Sequence, residues 1–224
     1  MEYGEWRALY ERILADFGFS ETGDRKAAAL LSELLNGKLL ASDGEIAALL
    51  CGRDVYVVGG ACAPSDIEGI PTGAAIISAD DATTVLMQKK VVPTIVATDL
   101  DGAVDDQVSA SKYGAYTIIH AHGDNFDALR RHVPRFSGKL MGTTQSAPDG
   151  GLRNFGGFTD GDRAVLLAEE MGARRIFLVG FDFGNAAPKP GKDPARKLRK
   201  LAWARRLIKM VKRAEVMHHG KKLV

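Results

Sequence analysis

Two aspartates stand one residue apart in the run Thr98, Asp99, Leu100, Asp101, Gly102, directly after an apolar segment. On an extended chain alternate side chains share a face, so Asp99 and Asp101 point the same way with Leu100 opposite. Two carboxylates at a strand end make a hard oxygen donor set suited to Mg²⁺, and such an ion usually carries phosphates with it. The plainer reading is a loop whose two solvated acids cap the next helix. The apolar strand before them favours the metal.

Other polar groups follow other apolar stretches. His120 and His122 share a face if their strand continues, and a histidine can donate to phosphate or move a proton. Asp124 could join a metal shell or cap the helix that starts at Phe126. Gly59 and Gly60 close the run Val55–Gly60, where bare backbone could approach a phosphate or merely make a tight turn. That run has neither the Walker pattern nor a full GxGxxG. Pro64 and Ser65 mark a short turn or helix. Thr143, Thr144 and Gln145 precede a Gly-rich stretch, 154–163, in which Phe155 or Phe158 could cover a planar ring. Asn154, Thr159 or Asp160 could meet that ring's edge. The same stretch could equally be a loop leading into a helix capped by Thr159 or Asp160, with Asp162 and Arg163 ordinary first-turn residues. Asp182 binds substrate or caps its loop.

Positioning these groups requires alternating elements. Apolar runs at 55–58, 75–78, 94–98, 116–120, 139–143 and 175–179 predict strands, and 81–89, 104–112, 124–132 and 160–171 predict helices between them. The expected fold is α/β, a mostly parallel Rossmann-like sheet flanked by helices. Ligands of such sheets sit beyond the carboxyl ends of the strands. Small or polar residues gather at every one of those ends, including Asp80 and Asp81 after Ser78.

Before the sheet, Trp6, Leu9, Tyr10, Ile13, Leu14 and Phe17 recur at helical spacing, and further helices are expected over about 22–35 and 43–50. The tail from Lys189 to Val224 carries thirteen Lys and Arg against Asp193 and Glu215, with an apolar stripe at Leu198, Leu201, Leu207, Ile208 and Val211. A basic C-terminal helix with a solvated outer face is the favoured reading; the alternative is a surface that brings cations to phosphates. Residues 1–52 are expected to form a helical N-terminal segment, 53–187 the α/β catalytic core and 188–224 the basic helical tail. The apolar faces of 5–50 and 198–211 could bury against each other or against a second subunit, making a homo-oligomer.

The 224-residue chain has a net charge of +2, too small to argue for nucleic acid. Two cysteines, Cys51 and Cys62, form no CxxC pair, and no His/Cys cluster has zinc spacing. No apolar run approaches a membrane span and no secretion signal is evident, so a cytoplasmic location with no membrane partner is expected.

Taken in order, Val57–Gly60, Ser78–Ala82, Thr98–Gly102, His120–Asn125, Gly142–Gln145, Asn154–Arg163 and Val179–Phe183 carry a resemblance. The chain resembles the archaeal 6-hydroxymethyl-7,8-dihydropterin pyrophosphokinases, related in their core to thiamin pyrophosphokinase. The resemblance implies transfer of a diphosphoryl group from ATP to the hydroxymethyl of a dihydropterin, giving AMP, with Mg²⁺ required, in folate- or tetrahydromethanopterin-type cofactor biosynthesis. It implies Asp99, Asp101 and His122 as catalytic, with Asp99, Asp101 and Asp124 on the metal. ATP would meet Gly59, Gly60, Asp80, His120, Asn125, Thr143, Thr144 and Gln145. The pterin would meet Asn154, Phe158, Thr159, Asp160 and Asp182. Competing readings are a thiamin acceptor, a nucleotide-binding module without catalysis, and a haloacid-dehalogenase-type phosphatase with Asp99 as nucleophile. That phosphatase motif usually continues with Thr or Val, whereas Ala103 follows here.

Overall fold

The computed structural model describes residues 1–186 and 193–224. Three helices open the chain: α1 (Tyr3–Phe17), α2 (Glu21–Leu34) and α3 (Asp43–Leu50). Helix α1 buries Trp6, Leu9, Tyr10 and Ile13 along one stripe and stops at Gly18, whose φ of 67° is open to glycine at little cost. A reciprocal capping box between Ser42 and Glu45 starts α3.

The core then alternates as β1 (Asp54–Val58), α4 (Pro64–Glu68), β2 (Ala75–Ala79), α5 (Ala82–Gln88), β3 (Ile95–Thr98), α6 (Val104–Lys112), β4 (Tyr116–Ala121), α7 (Phe126–His132), β5 (Leu140–Thr144), α8 (Asp160–Glu170) and β6 (Arg175–Val179). Helix α9 (Pro194–Ile208) and strands β7 (Glu215–His218) and β8 (Lys221–Lys222) complete it. Strand order is β5-β4-β3-β2-β1-β6-β7-β8, parallel throughout except for the antiparallel β7–β8 pair. The α/β expectation holds, with one addition. The basic tail forms its helix, then returns to extend the sheet with a parallel strand beside β6. The expected boundary at 187/188, and the first basic residues of the tail, lie outside the described residues.

Both sheet faces are covered. Alternation along β1 sends Val55 and Val57 into a core with α3 and α8, while Val58 joins Ile67, Ala82 and Leu86 of α4 and α5. Helix α2 packs with Ile119, Ala121, Leu129 and Leu140 at the β4–β5 end. The apolar faces of the first helix and of α9 meet each other: Trp6, Tyr10 and Ile13 cluster with Leu207, Trp203 and Met210.

Candidate active site

Parallel pairing brings the carboxyl ends of β2 and β3 side by side, with Ala79 opposite Ala97. Asp80 therefore emerges next to Thr98. The Thr98 hydroxyl donates to Asp80 Oδ1 at 2.9 Å, and the Gln107 amide donates to the same oxygen at 2.8 Å. Beyond Thr98 the chain does not continue as a strand. Leu100 takes the left-handed conformation (φ 67°), its side chain is buried among residues of α2 and α6, and its N–H donates to the Thr98 hydroxyl at 2.8 Å. That turn, rather than strand alternation, sets Asp99 and Asp101 together. Holding a leucine there costs on the order of 1 kcal/mol, the kind of backbone strain that gathers at functional sites.

Asp80, Asp99 and Asp101 each offer one oxygen, and the three lie within 4.8 Å of one another. Three carboxylate oxygens that close suit a divalent cation. Gly102 makes room for this arrangement: a Cβ there would collide with Asp80 Oδ2 and Asp81 Oδ1. Asp124, expected on the metal, is not in the group; it lies on the exposed side of the loop after β4, where its N–H meets His122 Nδ1 at 3.3 Å.

That contact fixes the His122 tautomer. Nδ1 accepts, so Nε2 carries the proton and donates to Asp99 Oδ2 at 3.1 Å. Burial works to raise the Asp99 carboxyl, but the His122 hydrogen bond and the charges of Arg163 and Lys200 outweigh it and bring it down to about 2. Asp80 goes the other way. Burial and the charges of Asp99 and Asp101 push it up to about 7, against the Thr98 hydrogen bond.

His120 is fully enclosed. The Thr143 hydroxyl donates to the Ile119 carbonyl at 3.2 Å, so it accepts from His120 Nδ1 at 3.0 Å. Burial, then the Arg163 charge, hold His120 well below the usual imidazole value. Its Nε2 has no hydrogen-bond partner among the described residues, and neither does Arg163 Nε. Both residues line a cleft of about 350 Å³ counted to its open mouth, with Thr98, Thr143, Thr144, Phe155 and Asp160.

Several expected ligand groups also hold the loops. Asn125 donates to the carbonyls of Asp99 and His120, both at 2.8 Å, clamping the ends of β3 and β4. Asn154 spans its own loop, donating to the Ser146 carbonyl and accepting from Gly156 N–H, both at 2.8 Å. The Thr144 hydroxyl faces Ser146 Oγ at 3.0 Å. Thr159 and Asp162 make the capping box of α8, while Asp160 in its first turn accepts from Arg163 Nη1 at 3.2 Å. Asp182 caps its loop, accepting from the N–H groups of Gly184 and Asn185. Phe158 packs on Phe17 and Phe19; the aromatic that lines the cleft is Phe155. Gly59 packs against the β6 turn, where a Cβ would stand 2.9 Å from the Gly180 carbonyl, whereas Gly60 is open.

The helical segment also reaches the site, which its sequence did not reveal. Asp24 is buried and accepts from Tyr10 Oη at 2.5 Å, Gln145 Nε2 at 2.8 Å and the Gly123 N–H at 2.7 Å. Gly23 and Gly123 meet backbone to backbone: a Cβ on Gly123 would lie 3.2 Å from Gly23 Cα. Arg163, Lys200 and Asp24 are thus site or support residues outside the expected set. The spacing of Asp160 and Arg163 by three in a helix was one available signal, and the reading of the basic tail as a surface that brings cations to phosphates was another.

The family model described as "6-hydroxymethylpterin diphosphokinase MptE-like" matches residues 63–187. A protein of Methanothermobacter thermautotrophicus named 6-hydroxymethyl-7,8-dihydropterin pyrophosphokinase is 41% identical over 95% of this chain and 96% of its own length. The chain belongs to the MptE-like family. Relatives with the same name come from Pyrococcus furiosus, 40% identical over 95% of each chain, and Methanocaldococcus jannaschii, 30% identical over 95% of this chain and 96% of its own length. Among solved structures, the MAf glycosyltransferase from Magnetospirillum magneticum AMB-1 matches this MptE-like chain with a TM-score of 0.57 and 16% identity, over 89% of this chain and 36% of that one. That likeness concerns the fold. No helix among the described residues is long and apolar enough to cross a membrane.

Proposed function

We propose that this protein transfers diphosphate from ATP to 6-hydroxymethyl-7,8-dihydropterin, releasing AMP. The observation that carries the reading is the Asp80–Asp99–Asp101 group at adjacent strand ends of an MptE-like chain. The acceptor hydroxyl oxygen bonds to the β-phosphorus of ATP. The bond from that phosphorus to the α–β bridging oxygen breaks, AMP leaves with that oxygen, and the hydroxyl proton passes to a neighbouring base or water. Such transfers depend on positioning and charge neutralisation more than on covalent catalysis.

Asp80, Asp99 and Asp101 would hold Mg²⁺, which when bound supplies positive charge to the phosphate oxygens. His122 keeps Asp99 ionised and oriented through its Nε2–H. The aminopyrimidinone edge of a pterin presents adjacent donors that a carboxylate satisfies. Asp160 faces the cleft, whereas Asn154 and Asp182 are engaged on their own loops, so Asp160 is assigned that edge and Phe155 the ring face.

Incubation with Mg-ATP and the reduced hydroxymethylpterin tests the reading. AMP should form only with the acceptor present, and not when thiamin replaces it. Asp101→Asn should abolish turnover in a folded protein. AMP formation with thiamin alone, or phosphate release from a generic monoester, would replace this reading with one of its competitors.

A further inference from the structure

Helix α9 carries its basic residues unevenly. Arg196, Lys197, Arg199, Arg205 and Arg206 are exposed, as a solvated face requires, but Lys200 is half-buried on the side that continues the inward stripe of Ala204, Leu207 and Ile208. Its ammonium lies 5.5 Å from the centre of the Phe158 ring, two residues before Asp160. No carboxylate among the described residues pairs with it. Arg163, a cation of the same region, is engaged with Asp160 at 3.2 Å and Gln145 at 3.4 Å. Burial and the Arg163 charge push the Lys200 ammonium down, while Asp99 draws it up. Lys200 is thus close enough to feel the Asp99 charge.

Desolvating a lysine without a partner is unfavourable and calls for a ligand that repays it. The charge balance points to which one. One divalent ion leaves a bound triphosphate with negative charge to spare. We propose that Lys200 binds phosphoryl oxygens of the nucleotide, so that the C-terminal helix closes the active site opposite the carboxylates. This rests on the diphosphotransferase reading for its substrate, though not for the anion site itself. An ammonium is a compact point charge suited to gripping phosphate in this way.

Lys200→Ala and Lys200→Arg, with Lys209→Ala on the exposed face as control, separate the outcomes. AMP formation is measured against ATP concentration, and calorimetry follows inorganic tripolyphosphate binding in the presence of Mg²⁺. Lys200→Ala should lower kcat/KM for ATP about 100-fold, the scale of losing one preorganised charge contact. It should also weaken tripolyphosphate binding at least about tenfold. Lys200→Arg should recover part of both, and Lys209→Ala should behave as wild type. A folded Lys200→Ala protein within about threefold of wild type in both measurements overturns the proposal. If wild type makes no AMP with the pterin but binds tripolyphosphate through Lys200, the substrate reading falls while the anion site stands.

Discussion

His122 Nε2 donates to Asp99 Oδ2 at 3.1 Å, and the tautomer that permits this is fixed by the Asp124 N–H on Nδ1. One backbone amide thereby orients the ring that keeps a half-buried carboxylate charged. A hydrogen bond to a charged group contributes roughly 1.5–3 kcal/mol. His122→Ala should therefore cut kcat by about 10- to 100-fold. His122→Gln, whose amide can still donate, should recover part of it. Steady-state kinetics on both variants, with circular dichroism to establish folding, checks the assignment.

Asp80 gives a pH signature of the opposite sign. Its folded value near 7 lies above that of the unfolded chain, so its stabilising contribution is present below the ordinary carboxylate value and is lost as pH rises through about 7. Without divalent ions the melting temperature should fall over that window, and Asp80→Asn should flatten the fall. A cation must also displace that proton. Mg²⁺ affinity measured by calorimetry should weaken up to about tenfold per pH unit below 7 and level off above it.

Gly102 is predicted to be intolerant of a methyl group. Its backbone is not in the left-handed region, so Gly102→Ala is no conformational problem; the clash is with the Asp80 and Asp81 carboxylates. The variant should fold, with a melting temperature within a few degrees of wild type. It should need about tenfold more Mg²⁺ for half-maximal activity, because the donor oxygens are displaced. A magnesium titration of initial rates reads this directly.

Asp24 should matter for both stability and turnover. Truncating it strands two buried donors, Tyr10 Oη and Gln145 Nε2, and the partly buried Gly123 N–H, a change of about 3–5 kcal/mol for breaking a buried charged network. Asp24→Ala should lower the denaturation midpoint accordingly. Asp24→Asn can still accept from Gly123 N–H, but its NH₂ meets donors on the other side. It should remain folded with reduced activity. Urea melts and kinetics of the two variants separate scaffold loss from misplacement of the His122 loop.

Strands β1 to β6 were legible because each is a short apolar run ended by small or polar residues, as a sheet covered on both faces demands. β7 was not. Glu215–His218 has one fully buried side chain, Val216, and sits in a basic tail whose helical stripe dominates the pattern. At the site, Asp99 and Asp101 stood out as neighbours in sequence. Asp80 joins them only through the β2–β3 register, and register is a property of pairing that no single strand encodes. Asp24 and Lys200 were hidden for the same reason: each is one charge on an amphipathic helix, and only the way the helix docks shows that it turns inward. Asn125, Asn154 and Asp182 each hold a loop. Short polar side chains at strand ends resemble ligand groups, but here they satisfy loop backbone, which is their commoner employment.

The glycine pair at 23 and 123 limits what can be done with the first fifty residues. Where two main chains touch with no side chain between them, the fit depends on a notch in each partner. The opening helices are therefore not a portable module. Grafted onto another α/β scaffold, they would seat only if the recipient loop were equally bare, and any chimera that fills the notch would shift His122 along with the joint.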